Sequence, residues 1–172
     1  MKRFLPLFAI PLVLSACGLR PVYGGGGHGV VAQTLGNVEV APIEGKGGWL
    51  VRNALNDRLS AMSKGSGPRY RLVVKLDDQI AGFGLRADAA VTRERRTLRA
   101  RYQLLDEATG VQLLDDSAGS DAGIDVTSSE YATIAAEDTA LERLSQTIAD
   151  QIVARLASYA SRQQSSAKQA DQ

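Results

Sequence analysis

The chain has 172 residues, 44% of them hydrophobic, and its 20 Lys plus Arg nearly balance 19 Asp plus Glu for a formal net charge of +1. These values argue against wholesale disorder, a multi-pass membrane protein and a generally basic nucleic-acid binder, and the length suits a single domain. One Cys and one His leave no basis for an internal disulfide framework or a zinc site.

Lys2 and Arg3 precede an apolar run, Phe4 to Leu14, that contains Pro6 and Pro11. A membrane-spanning helix needs about 20 apolar residues, so the run is too short for a permanent anchor. Positive charge, a short apolar core and then small residues form the layout of a secretory signal peptide, here residues 1–16. Leu14-Ser15-Ala16-Cys17 resembles the lipobox of bacterial lipoproteins. That resemblance implies cleavage before Cys17 and a thioether-linked diacylglycerol on its sulfur. A lone Cys can also be a buried free thiol, but this one sits where the apolar run ends. Gly18 stands where Asp would resemble an inner-membrane retention signal, which implies attachment to the inner leaflet of an outer membrane, facing the periplasm. Two or more fatty chains make such attachment durable, whereas one binds only marginally.

Gly18 to Gly29 holds six glycines and His28. With no Gly-Lys-Ser/Thr ending and no preceding strand it does not read as a phosphate cradle, and residues 17–36 are expected to act as lipid anchor and flexible tether. Val38 and Val40 share one parity between Gly36 and Pro42, predicting a short strand over Asn37 to Ile43. From Trp49 to Ser63 the period changes: Val51, Leu55, Leu59 and Met62 recur at helical spacing until Gly65-Ser66-Gly67-Pro68 stops the helix.

Arg69 to Asp77 alternates, with Tyr70, Leu72, Val74 and Leu76 on one side. About Asp88 to Leu105 does the same, with Leu98, Ala100, Tyr102 and Leu104 opposed to Arg93, Arg95, Thr97, Arg99, Arg101 and Gln103; a period of two gives each set its own sheet face. Thr109-Gly110 supplies a turn, and Val111 to about Ser117 returns as a hairpin partner. Thr127-x-x-Glu130 resembles a capping box. Leu141, Leu144, Ile148, Ile152, Leu156 and Tyr159 then mark a long helix over about Ala135 to Arg162. Residues 163–172 carry no stripe and are expected to form a disordered tail.

The order β-α-β-β-β-α predicts an α+β fold over residues 37–162: a two-layer sandwich of a four-stranded, mostly antiparallel sheet with two helices on one face. The other sheet face is left without cover from the chain itself.

Charge is segregated along the chain. Arg86 to Arg101 contains six arginines against Asp88 and Glu94, while Tyr102 to Glu142 contains ten acidic residues and no Lys or Arg. Arg93, Arg95, Arg99 and Arg101 share a polar strand face, and Arg69, Arg71 and Lys75 have the matching parity on the neighbouring strand. Two readings stand. Carboxylates of the hairpin partner, such as Asp115 and Asp116, could pair with the arginines as surface ion pairs worth ~0–1 kcal/mol each. Alternatively the face receives a phosphate-bearing ligand, for which the planar guanidinium fork is suited.

The chain resembles the alphaproteobacterial branch of the LptE family of lipopolysaccharide-assembly lipoproteins. The resemblance rests on Cys17-Gly18-Leu19-Arg20-Pro21-Val22-Tyr23-Gly24, on Val40-Ala41-Pro42-Ile43, and on Arg52-Asn53-Ala54-Leu55 with Arg58-Leu59. It continues through Tyr102-Gln103-Leu104-Leu105-Asp106 with Thr109-Gly110, and Ser129-Glu130-Tyr131-Ala132-Thr133-Ile134-Ala135-Ala136-Glu137. It implies a two-helix, four-stranded sandwich that partners the outer-membrane β-barrel LptD, helps it assemble and assists delivery of lipopolysaccharide to the cell surface. Lipopolysaccharide binding in the family involves basic residues, none of which aligns to a particular residue of this chain; shared parity and charge make Arg93, Arg95, Arg99 and Arg101 the candidate contacts for lipopolysaccharide or the barrel lumen.

Two rivals remain open to the sequence. An auxiliary lipoprotein of an ABC-type lipid transport system shares the lipobox and the small α/β architecture. A periplasmic enzyme would need a nucleophile and base held together, yet the only His lies in the tether and the only Cys at the anchor. Asp77-Asp78 and Asp115-Asp116 are adjacent on strands and point to opposite faces, so the sequence specifies no facing carboxylate pair. The expectation is a non-enzyme without metal, cofactor or nucleic-acid partner.

Overall fold

The computed structural model describes residues 30–62, 65–85 and 91–170. The expected signal peptide, Cys17, the stretch Gly18 to Gly29 and the last two residues of the expected tail lie outside the described residues.

Seven elements follow in order: α1 (Val30–Gly36), β1 (Val38–Val40), α2 (Gly45–Ser60), β2 (Tyr70–Leu85), β3 (Val91–Asp106), β4 (Gln112–Asp125) and α3 (Glu130–Ala170). The sheet runs β1-β2-β3-β4, with β1 parallel to β2 and the other pairings antiparallel. The α+β two-layer class read from periodicity is the observed one, and the sheet is mostly antiparallel as expected, with β1–β2 its one parallel pairing among the described residues.

The alternating pattern of β3 sets the layers. Leu98, Ala100, Tyr102 and Leu104 are buried on one face beside Leu72 and Val74 of β2. Onto that face packs α3 with Leu141, Leu144, Ile148, Ile152 and Leu156, and α2 with Val51, Leu55 and Leu59, in one continuous core. Full burial of one such side chain contributes about 2 kcal/mol. The hydroxyl of Tyr102 is pushed up to about 12, chiefly by burial and then by Asp116.

Among the points where the structure departs from the sequence expectation, four have a plain physical reason. Helix α1 occupies residues 30–36, within the span expected to be tether, because Val31, Ala32 and Leu35 bury an apolar side in the core. Helix α2 begins four residues early, through Gly47 and Gly48. The latter must lack a side chain, since a Cβ would lie 2.6 Å from the Ile43 carbonyl oxygen. Thr127 does not cap α3; Ser129 does, its Oγ accepting the Ala132 amide at 3.4 Å, while the Thr127 hydroxyl donates to the Ser129 carbonyl. Finally, α3 runs on through residues 163–170, where the sequence predicts a tail, with Gln163 donating to the Tyr159 hydroxyl at 2.8 Å and Ser165 and Ser166 to the Arg162 carbonyl.

Strands β2 and β3 are each 16 residues, or ~53 Å at 3.3 Å per residue, longer than their apolar alternation. Their far ends are held to α3 by Arg96, which faces the helices. Its Nε and Nη2 bond both Asp78 oxygens at 2.8 and 2.6 Å, and its Nη1 donates to the Glu137 carbonyl at 2.9 Å. The side chains of Arg96 and Asp78 are only 11% and 28% exposed. Beside them, burial pushes the Glu94 carboxyl up, reinforced by the nearby Glu137. Loss of one partner leaves the other half-buried without a counter-charge, so Arg96→Ala should cost about 2 kcal/mol in urea denaturation, set below a fully buried pair. Arg93→Ala, on an exposed pair, should cost under ~1 kcal/mol; equal losses would contradict this placement.

Candidate functional site

The sheet face turned away from the helices carries the arginines singled out from the sequence. Period-two alternation along β3 puts Arg93, Arg95, Arg99 and Arg101 on that face, all exposed. The structure brings all four together in one row. It also shows what offsets their mutual repulsion: an Asp series on β4.

Arg93 stands directly opposite Asp125 and bonds it through Nε at 3.0 Å. Arg95 lies opposite Gly123 and reaches diagonally to Asp121 at 3.9 Å, its guanidinium 5.4 Å from the Phe83 ring centroid. Arg101 grips Asp115 with Nε and Nη2 at 3.1 and 3.0 Å, and Gln103 adds a third bond to the same carboxylate at 3.0 Å. The reading in which the hairpin partner supplies counter-charges therefore holds for Asp115 but not for Asp116. The latter faces the helices and accepts a 2.6 Å bond from Arg155 of α3.

Arg99 is the exception. Gly119 is its register partner on β4, and the arginine lies flat across it: a Cβ there would come within 2.7 Å of Arg99 Cδ. Asp77 stands opposite on β2, yet its oxygens accept from Gln79 and form no ion pair among the described residues. Among the described residues Arg99 has no carboxylate within ion-pair distance, and neither does Lys75, which faces the like-charged Arg101. Sequence parity marked Lys75 as belonging to this face, but only the register shows that its neighbour is another cation. These two cations, with Asp77, Arg101, Ser117 and Gly119, line a shallow depression of about 480 Å³. An anion placed there would meet free guanidinium and ammonium donors.

The paired carboxylates respond electrostatically. The Asp115 carboxyl is held below its ordinary range by the Arg101 bond and then by Gln103. Asp116 is held down by the Ser117 amide and then by Arg155. Among the described residues no group of three or more His, Cys, Asp or Glu could hold a metal, and no helix is long and apolar enough to cross a membrane.

Residues 35–156 match the model of the family described as "LptE: Lipopolysaccharide-assembly". The chain belongs to that family. Among solved structures, a putative lipoprotein from Caulobacter crescentus is 27% identical, with a TM-score of 0.62 over 76% of this chain and 95% of that one. Rare lipoprotein B from Shewanella oneidensis (13% identical, TM-score 0.54, 70% and 92% covered) shares the LptE-family fold. So does a minor lipoprotein from Acinetobacter baumannii (12% identical, TM-score 0.58, 71% and 91% covered). A search of curated protein sequences found no match.

Because Asp115 is lowered in the folded state, its stabilisation is present above the ordinary Asp value of about 3.9 and lost as pH falls through the depressed one. A carboxyl-carbon NMR titration should show Asp115 losing its charge below that value in the native protein and closer to it in Arg101→Ala, where only the Gln103 bond remains. An ordinary Asp115 midpoint in the unmodified chain would contradict the clamp.

Proposed function

We propose that this LptE-family chain is an outer-membrane lipoprotein, lipidated at Cys17 and facing the periplasm. In this reading it partners the LptD-type β-barrel in its assembly and in delivery of lipopolysaccharide to the cell surface. The observation that carries the functional part is the exposed sheet face, where three of four arginines are neutralised across β4 and Arg99 and Lys75 are not. Paired charges keep the face soluble and ordered, and the unpaired ones supply donors for a phosphate-bearing glycolipid or for acidic groups lining a barrel.

The position of Cys17 at the end of a short apolar run supports the anchor, and Gly18 supports the outer membrane. The core needs no further domain to close it, which fits a body held at the membrane by its amino terminus. Intact-mass measurement of the membrane-extracted protein should find Cys17 at the amino terminus carrying acyl and diacylglyceryl chains; an unmodified Cys17 would contradict the anchor.

Charge reversal separates the arginines. Arg93→Glu or Arg95→Glu removes a cation and also leaves a β4 carboxylate without its partner, whereas Lys75→Glu and Arg99→Glu remove only free charges. The latter pair should weaken lipopolysaccharide binding about tenfold at low salt, as the loss of a charge-assisted contact implies. Reversal of Arg93, Arg95, Arg99 and Arg101 together should weaken it further. Binding unchanged at several salt concentrations would remove lipopolysaccharide from this face. Loss of barrel co-purification in the same variants would then assign the face to the protein partner.

A further inference from the structure

The two outer edges of the sheet are treated differently. On β4, Gln151 of α3 caps both backbone groups of Gly119: its Oε1 accepts the amide at 3.1 Å, and its Nε2 donates to the carbonyl at 3.4 Å. On β2, strand β1 covers only Tyr70–Leu72. The last backbone bond on that side runs from the Ala41 amide to the Leu72 carbonyl at 2.9 Å.

Which backbone groups stay free follows from parity. The Tyr70 amide and the Leu72 carbonyl both point outward, to Asn37 and Ala41. The register with β3 is unbroken from Tyr70 to Phe83, so the outward set continues through the even-numbered residues Asp78, Ile80 and Gly82. Among the described residues their outward amides and carbonyls have no partner. Apart from the Asp78 side chain, which is tied to Arg96, the residues from Asp77 to Gly84 are exposed, including Ile80 at 43% and Phe83 at 42%, which lie on opposite sheet faces.

We infer that the β2 edge over Asp77 to Phe83 takes up an extended segment of a partner polypeptide as a fifth strand. Alternating free donors and acceptors match a strand and no lipid or small anion. An added strand would bury Ile80 from one face and Phe83 from the other. Asp77, exposed and without an ion pair among the described residues, calls for a Lys or Arg opposite it. A second copy of this chain offers Asp77 no counter-charge: antiparallel self-pairing centred on Ile80 sets it beside Phe83, and a centre nearer Leu76 runs into β1. The inference concerns an edge, not the arginine face, and stands whether or not that face binds lipopolysaccharide.

The test uses the full-length lipidated protein in its own membranes, with a photoreactive benzoylphenylalanine at Gln79, Ala81 or Phe83. Adducts should fall on one other polypeptide, two residues apart along one extended stretch, with a Lys or Arg in register with Asp77. Ile80→Pro and Gly82→Pro each delete an outward amide and leave the β2–β3 bonds intact, so either should cut adduct yield about tenfold. Asp77→Lys, which leaves the backbone alone, should also lower it and keeps the test valid if a proline variant fails to fold. Adducts to lipid or to a second copy, no adducts, or yields indifferent to all three substitutions with helical circular dichroism retained would overturn the inference.

Discussion

The seam between β3 and α3 is the contact on which the rest of the molecule depends. Leu98, Ala100, Tyr102 and Leu104 meet Leu141, Leu144, Ile148, Ile152 and Leu156 in one buried layer, and α1, α2 and β1 are laid against its flanks. Because a strand alternates strictly, every apolar residue committed to that seam commits its neighbour to the opposite face. The arginine row is therefore the geometric complement of the core. A one-residue slip of β3 would bury four guanidinium groups and expose the seam, which fixes the register firmly.

Once on that face, the arginines have to be reconciled with one another. The chain does this with β4, whose Asp115, Asp121 and Asp125 fall in or next to register with Arg101, Arg95 and Arg93. Small residues fill the remaining positions, and at Gly119 the missing side chain is the bed on which Arg99 lies. The face thus keeps an excess of positive charge, with Arg71, Lys75 and Arg99 outside the ion pairs formed among the described residues. Such a surface is soluble alone and still has donors to offer a phosphate or carboxylate.

The core strands and helices were legible in the sequence because their periods are clean: two for β2 and β3, helical for α2 and α3. The four candidate arginines were legible for the same reason, their common face following from parity alone. What was hidden depends on partners distant in the chain. Nothing local marks Val31 and Leu35 as a helix, since a seven-residue segment gains its stability from the core it touches. The far halves of β2 and β4, with Ala81-Gly82 and Ala122-Gly123, have poor strand propensity and are strands because β3 runs between them. Which arginine would lack a carboxylate required the register of β4, and the open edge of β2 required knowing that β1 stops after three residues.

The helix-covered face is closed by the protein's own core, and the proposed function assigns the arginine face to a partner outside the chain. Hydroxyl-radical footprinting of the lipidated protein, in native membranes and again after purification in detergent, tests this directly. Residues of the outer face such as Phe83 and Gln103 should be protected in the membrane and become reactive on purification, while Leu98 and Ile148 stay unreactive throughout. Equal labelling of the outer face in both states would contradict it.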